Sequence, residues 1–495
     1  MPRLGANEVV AGLWSRPYRS LTAGLILTVV LTAFEILAVA TVMPIVVPEL
    51  GGLELYGWAV SAFFLGSLLG TVVVGGILDR RGLLGAFLGS LALFGVGLLL
   101  AGTATSMPML VAARFIQGLG GGALTPVSYV AIGRGLPEAL RPRMFALMST
   151  AWIVPAVLGP AAAGVIAEAV SWRAVFLGLL PFLVIAGILT AGAMARVRGG
   201  AGSAGPAPAG LGGPAADRGG GRIGNAIVVT AGAAMFTAGL ALESGFDVGG
   251  VALPALVLQA VVTAAGLALV GIAFRRLTPP GTLRLAPGLP AAILSRGVLT
   301  VGFYALDAFV ALALIQWRGL SPGVAGIALA GGSLCWTLGS WAQARWAVRR
   351  GYAFFVRAGF AALTAGIAGF ALALDPGVPV ALSFVAFAVA GLGMGFAYAP
   401  QSLIVLREAA PAEQGAATSA LNLADLLGTA LGIGLSGAVL AAGLRAGATV
   451  GAALLPAFLL GAVATAGGLL LSGRLGPAGN AGPKGGAGDS APGLA

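Results

Sequence analysis

Histidine is absent from the chain, which removes Ser-His-Asp and Cys-His catalysis and every histidine-ligated metal site. Cysteine occurs once, at Cys335, so this sequence holds neither an intrachain disulfide nor a thiolate metal cluster. All but one of the 27 basic residues are arginine. The only lysine, Lys484, lies in the C-terminal tail, so no Walker-type phosphate loop is present and ATP is not expected as a direct energy source. Charge is scarce as well: 9% of residues are Asp, Glu, Lys or Arg, against roughly a quarter in a soluble globular chain. Such a chain cannot cover itself with a water-facing surface.

What is abundant is apolar: 58% of the residues, with a mean hydropathy of +1.01. The apolar runs reach the ~20 residues needed to cross a bilayer as a helix. Reading the runs against their breakers predicts fourteen membrane helices, an all-α integral membrane fold. The first six are 21–47, 55–78, 83–103, 108–132, 144–167 and 174–195. An inserted pair follows at 223–242 and 249–274. The last six are 291–317, 323–346, 352–374, 378–406, 416–443 and 448–471. The first run is too long for the core of a signal peptide, so no cleaved leader is expected.

The net charge of +11 follows topology rather than a nucleic-acid surface. With the N-terminus inside, the inner loops and helix ends hold Arg80, Arg81, Arg134, Arg141, Arg143, Arg196, Arg198, Arg218, Arg222, Arg275, Arg276, Arg284, Arg296, Arg345, Arg349, Arg350, Arg357 and Arg407. The outer loops hold only Arg173, Arg318 and Arg445, and Arg114 lies within a helix. The positive-inside rule therefore supports fourteen helices with both termini cytoplasmic, in a cell inner (plasma) membrane.

Segment 198–222 is almost all Gly, Ala and Pro and reads as a cytoplasmic linker; 476–495 reads as a disordered tail. The organisation expected is a six-helix bundle over 1–197, the linker, two inserted helices over 223–274 and a second bundle over 275–475. Aligning Arg80-Arg81-Gly82 with Arg349-Arg350-Gly351 also places Gly70-Thr71 on Gly339-Ser340 and Gly57 on Gly326. A duplicated six-helix unit explains those coincidences.

Several motifs carry chemistry. The turn GGILDRRG, Gly75 to Gly82, has the form Gly-x-x-x-Asp-Arg-x-Gly and resembles the signature of the major facilitator superfamily. The resemblance implies that Gly75, Asp79, Arg80 and Gly82 gate the carrier, with Asp79 at the positive N-terminus of a helix in the other half. Leu83 and Leu84 stand where the family usually continues with basic residues. RFIQGLGGGA, from Arg114, resembles the family's Arg-x-x-Gln-Gly-x-Gly motif through Arg114, Gln117, Gly118 and Gly120. An arginine inside a membrane segment is costly and faces a partner or a wet cavity.

VPAVLGPAAAG in helix five is similar to the antiporter motif at Gly159, Pro160 and Gly164, while Pro155 and Ala163 replace its glycines. Its prolines and small residues suit a hinge. SWRAVF, from Ser171, is a further family-like feature. In FEILAVATVMP, Glu35 precedes Pro44 by the spacing seen in the fourteen-helix drug:proton antiporter branch. An acid that exchanges its proton at mid-membrane is what a proton-coupled carrier needs. The repeat pairs Glu35 with Tyr304, one turn from Asp307, so Glu35 and Asp307 are expected to face a central cavity from equivalent helices. Asp425, where family members often carry arginine, is left open between proton coupling and pairing with an inner-face arginine. Phe34, Phe303, Tyr304, Trp336 and Tyr398 are candidate cavity aromatics.

The resemblance implies two pseudo-symmetric six-helix bundles plus the inserted pair. Helices one, four, nine and twelve line the cavity, and two, five, ten and thirteen meet across the halves. It implies a secondary transporter, not an enzyme, exporting small hydrophobic or cationic compounds by proton antiport and alternating access. Glu35, Arg114, Asp307 and Asp425 are the expected proton-coupling and substrate residues. No cofactor or metal is expected; the proton gradient supplies the energy. Its partners are a small-molecule substrate, protons and the lipid bilayer, with no nucleic acid, in a monomer. Metabolite uptake or facilitated diffusion by the same fold, or a non-transporting membrane sensor, are the alternatives.

Overall fold

The computed structural model describes residues 12–198, 220–242, 246–248, 251–410 and 413–475. Among them are fourteen helices long and apolar enough to span a membrane. The first six are α1 (Arg19–Leu50), α2 (Leu53–Leu78), α3 (Arg80–Gly102), α4 (Met107–Gly135), α5 (Glu138–Ala169) and α6 (Trp172–Ala195). The inserted pair is α7 (Gly221–Ala241) and α8 (Ala255–Leu277). The last six are α9 (Leu289–Trp317), α10 (Pro322–Ala347), α11 (Tyr352–Leu372), α12 (Ala381–Glu408), α13 (Gln414–Arg445) and α14 (Val450–Arg474). Most of segment 198–222 and all of 476–495 lie outside the described residues. The eighth helix starts later than its apolar run suggests, because Phe246–Val248 (β1) and Val251–Leu253 (β2) pair as a short antiparallel hairpin before it. Val and Leu in that stretch suit a strand as well as a helix, and Pro254 stops one from running into the other.

Local sequence sets the interruptions. α2 and α3 run end to end except at Gly82, whose φ of 70° is open to glycine and strained for other residues. Gly351, its partner in the repeat alignment, has φ 82° between α10 and α11. The same backbone device thus recurs at the same point of each half. α5 breaks at Trp152, between Arg141–Ala151 and Ile153–Ala169. Pro155 explains the break: it offers no N–H to the Ala151 carbonyl and its ring crowds that turn.

Within each half, helices approach backbone to backbone through glycine. A Cβ added to Gly118 of α4 would stand 2.0 Å from the Phe63 carbonyl oxygen of α2, and one on Gly120 would stand 2.3 Å from the Phe94 nitrogen of α3. In lipid, where no hydrophobic effect drives helix pairing, such close van der Waals contact is the cohesive force. Gly118→Leu should therefore destabilise the protein by about 1–3 kcal/mol, read as a lowered thermal midpoint in detergent. An unchanged midpoint would contradict this packing.

The two halves touch at one end of the bundle, the end bearing the loops after α1, α3, α5, α9, α11 and α13. Gly57 of α2 meets Gly437 of α13, and Gly326 of α10 meets the Pro160 carbonyl of α5. These are the crossings expected between helices two and thirteen and between five and ten. Among the described residues, hydrogen bonds join the halves there. Tyr56 donates to the Ala308 carbonyl at 3.0 Å, Gln316 to the Pro44 carbonyl at 3.0 Å, and the Gly323 N–H to Glu168 at 3.0 Å. Pro48 cannot donate to the Pro44 carbonyl four residues back, so Gln316 supplies the missing donor. Gly323 lies in the first turn of α10, where N–H groups have no partner within the helix.

Two arginines that stand against the loop-charge pattern have local work at this end. Arg173 pairs with Glu49, stacks on Trp172 at 4.3 Å and donates to the Ala104 carbonyl. Trp172 also donates to Glu49, at 2.6 Å, so the SWRAVF segment fastens α6 to the end of α1. Arg318 donates to the carbonyls of Ala373, Asp375 and Val378.

Candidate functional site

One buried arginine organises each half. In the first, Arg114 of α4 and Glu35 of α1 form an ion pair, both 1% exposed. Arg114 also donates to the Gln117 side chain at 2.6 Å and the Ala59 carbonyl at 3.2 Å, and lies 4.6 Å from the Phe63 ring centre. It therefore ties α1, α2 and α4 together. The pairing follows from the spacing in the motif: Gln117 is three residues on, on the same face of α4 as Arg114. One Glu35 oxygen, Oε2, and the Gln117 amide nitrogen remain buried without a hydrogen-bond partner. Glu35, expected to face the space between the halves, is enclosed and paired within its own half. Burying a carboxylate in an apolar bundle is tolerable only against a counter-charge, and Arg114 supplies it from within its own half.

In the second half the organiser is Arg296 of α9, which the loop-charge count assigned to an inner helix end. It is 1% exposed. Its guanidinium donates to the Gln401 side chain at 2.9 Å, the Ser402 hydroxyl at 2.9 Å and the Tyr398 carbonyl. It stacks on the Tyr398 ring at 3.6 Å and stands 3.7 Å from Asp425 of α13, a residue 21% exposed. Tyr398 in turn donates its hydroxyl to Asp425 at 2.9 Å, and Gln401 donates to Ser295 at 3.0 Å. The cluster joins α9, α12 and α13. An arginine seven residues inside a membrane helix was the signal in the sequence; its nearness to a predicted loop masked it.

Asp307 differs from both other intramembrane acids. Among the described residues it has no ion pair and its carboxylate accepts no hydrogen bond, and it is partly exposed. Tyr56 and Tyr304 lie within electrostatic reach of it. Its neighbour Ala308 accepts the Tyr56 bond that helps hold the halves together. Of the candidate aromatics, Tyr304, Phe303, Trp336 and Tyr398 form a continuous chain of rings, with successive centres 5.2, 5.4 and 5.5 Å apart. Phe64 of the first half meets Tyr304 at 5.8 Å. Phe34 lies elsewhere, against Gly159.

Away from the closed end, polar side chains are exposed at depths where a lipid-facing helix would be apolar: Thr125 and Tyr129 on α4, and Asn422 one turn before Asp425 on α13. Tyr129 lies within electrostatic reach of Tyr398 in the other half, and Asn422 and Tyr129 drew no attention in the sequence. The structure brings Pro155, Gly159, Pro160 and Gly164 into the buried face of α5. Gly75 has no neighbour within 4 Å of an added Cβ, so it makes no tight contact with another helix in this state. The Asp79 side chain lies outside what the structure describes; the backbone there is helical up to Gly82, and Arg80 is exposed.

The model of the Major Facilitator Superfamily matches residues 25–433. A protein of Mycobacterium tuberculosis named as a probable multidrug-efflux transporter is 29% identical over 411 residues, covering 81% of this chain and 83% of that one. Multidrug resistance protein 3 of Bacillus subtilis is 32% identical over 153 residues, covering 31% of this chain and 30% of that one. Among solved structures, an auto-inhibited peptide transporter of the POT family aligns with a TM-score of 0.64 at 15% identity, over 94% of this chain and 99% of that one. The xylose transporter XylE of E. coli, in a partially occluded inward-open conformation, gives 0.57 at 13%, over 90% and 96%. These last two likenesses concern the fold.

Proposed function

The chain belongs to the Major Facilitator Superfamily, and from that premise we propose that it is a proton-driven exporter of small lipophilic or cationic compounds. The observation that carries this reading is the division among its three membrane-embedded acids. Glu35 and Asp425 each face an arginine, while Asp307 has none among the described residues. A carboxylate without a counter-charge is the one whose ionisation is least compensated, so it is best suited to trade a proton for a cationic substrate. Asp307 also adjoins the Tyr56–Ala308 bond at the closed end of the carrier. In this reading, proton exchange at Asp307 acts beside a contact that holds that end closed, and so biases opening.

In this reading the loops rich in arginine face the cytoplasm, both termini are inside, and a vestibule walled by the exposed Thr125, Tyr129 and Asn422 opens inward between the halves. Substrate enters from the cytoplasmic side and settles against the aromatic chain and the polar wall of α4 and α13. The contacts at the far end then break while those near the N-terminal end form. A proton arriving from outside neutralises Asp307 and releases the substrate. Glu35 with Arg114 holds the first half together and responds to the same change of state. The relative from M. tuberculosis, named for multidrug efflux, supports the substrate class.

Ethidium accumulation in inside-out vesicles energised by respiration tests the reading. Uptake that an uncoupler abolishes is the expected result. Uptake indifferent to the uncoupler would instead leave a facilitated carrier.

A further inference from the structure

Arg296, Thr300, Tyr304 and Asp307 follow one another along α9 at helical spacing, so they share one face. This polar stripe climbs ~16 Å, from the inner side of the second half toward the closed end. Asp425 of α13 stands beside its lower part. The Thr300 hydroxyl lies 3.2 Å from the Asp425 carbonyl oxygen. On the next turn of α13, a Cβ added to Gly428 would stand 2.4 Å from the Gly297 carbonyl oxygen. That backbone-to-backbone fit fixes the height of Asp425 on α9.

Side chains on a helix lean toward its N-terminus. Asp307 therefore leans over Tyr304, and Tyr304 leans toward the level of Thr300, where Asp425 stands. Tyr304 is within electrostatic reach of both acids, and of Tyr398 and Arg296. Among the described residues its hydroxyl makes no hydrogen bond, whereas the Tyr398 hydroxyl is committed to Asp425 at 2.9 Å. The rings beside Tyr304 cannot pass a proton on. Phe64 and Phe303 flank it at 5.8 and 5.2 Å, and Trp336, next to Phe303, has an N–H that donates but does not accept. The Tyr304 hydroxyl does both.

Asp425 can take a proton without stranding a charge. It meets Arg296 at 3.7 Å, beyond hydrogen-bond distance, and its Oδ1 is buried without a hydrogen-bond partner. Arg296 is already held by Gln401, Ser402 and the Tyr398 carbonyl.

We propose that the proton taken up at Asp307 leaves through Asp425, handed on by the Tyr304 hydroxyl. This rests on the proton-driven export reading above. Protonated Asp307 gives its proton to the Tyr304 oxygen as Tyr304 gives its own to an Asp425 oxygen, directly or through one water. Asp307 is left as a carboxylate, ready for the next cation. Asp425 is left as a neutral acid, and Tyr304 ends as it began. Asp425, 21% exposed, then loses the proton to the cytoplasm through the vestibule. Loading and discharge thus occupy different acids, one at each end of the stripe.

The test compares gradient-driven ethidium accumulation with counterflow of an uncharged lipophilic compound in the same vesicles. Their ratio cancels losses of folding or of substrate contact. Tyr304→Phe keeps the ring and removes the proton carrier, and should lower the ratio more than about tenfold. Para-fluorophenylalanine at the same position also fills the hydroxyl's space and should lower it as far. Meta-fluorotyrosine there keeps a hydroxyl and should hold the ratio close to that of wild type. Asp425→Asn, which removes the proton's acceptor, should show the same loss as Tyr304→Phe. A wild-type ratio in Tyr304→Phe, or in the para-fluorophenylalanine protein should that variant not fold, overturns the relay and leaves antiport intact. An equal loss in the meta-fluorotyrosine protein makes Tyr304 a packing contact and overturns the relay as well. Wild-type accumulation indifferent to an uncoupler overturns antiport and relay together.

Discussion

Replacing Glu35 with alanine should destabilise the protein by about 3–5 kcal/mol, because it leaves a fully buried arginine without its counter-charge. Arg114 has no route to water at 1% exposure, and its remaining partners, Gln117 and the Ala59 carbonyl, are neutral. The magnitude comes from the stranded charge rather than from the pair's own attraction. A second substitution that removes the charge therefore distinguishes the two. Glu35→Ala with Arg114→Met should recover part of the lost stability, since it removes the stranded charge and leaves only the cavity made by the smaller side chains. Unfolding in detergent, followed for both singles and the double, measures this. A Glu35→Ala loss under about 1 kcal/mol would show that Arg114 finds other compensation. The transport effect separates from stability in Glu35→Gln, which keeps a hydrogen-bonding side chain while removing the charge.

Asp307→Asn should leave folding almost untouched yet lower gradient-driven accumulation of substrate by more than about tenfold, a change of ~1.4 kcal/mol or more in driving force. The two side chains have nearly the same shape, and no ion pair or carboxylate hydrogen bond is lost among the described residues. What disappears is the capacity to exchange a proton. Asp307→Glu should restore part of the accumulation. Downhill counterflow of an uncharged lipophilic substrate should persist in Asp307→Asn, because such a substrate does not compete with the proton for the carboxylate. Normal accumulation in Asp307→Asn would move coupling to Glu35 or Asp425.

Topology was the most legible layer in the sequence. Apolar runs and the placement of arginine locate the spans to within a few residues, because both the bilayer's thickness and the cost of moving charge across it act on local sequence. The most displaced boundaries are the start of α5, six residues before its apolar run, and the start of α8, six residues after, where a β-compatible stretch adjoins an apolar run. The repeat was legible at Gly82 and Gly351 because positive φ leaves a residue-specific mark. The orientation of single side chains was less legible. Glu35 was expected toward the cavity on the strength of its depth. Depth does not decide which face of a helix a residue takes, and the counter-charge at Arg114 lies on another helix.

Arg296 shows the reverse failure. Its charge was visible, but three of its partners, Gln401, Ser402 and the Tyr398 carbonyl, lie more than a hundred positions away. The contact of α7 with α13 was likewise beyond the sequence, since the Thr237 and Gly434 that meet there are ordinary membrane residues until a partner helix is known.

Proton antiport is the central claim, and substrate-driven proton movement tests it most directly. In inside-out vesicles carrying an imposed proton gradient and a pH-sensitive dye, adding an ethidium-like cation should dissipate the gradient with the wild-type protein. It should do so far less with Asp307→Asn. A gradient that stays intact while the wild-type protein accumulates the cation would contradict proton coupling.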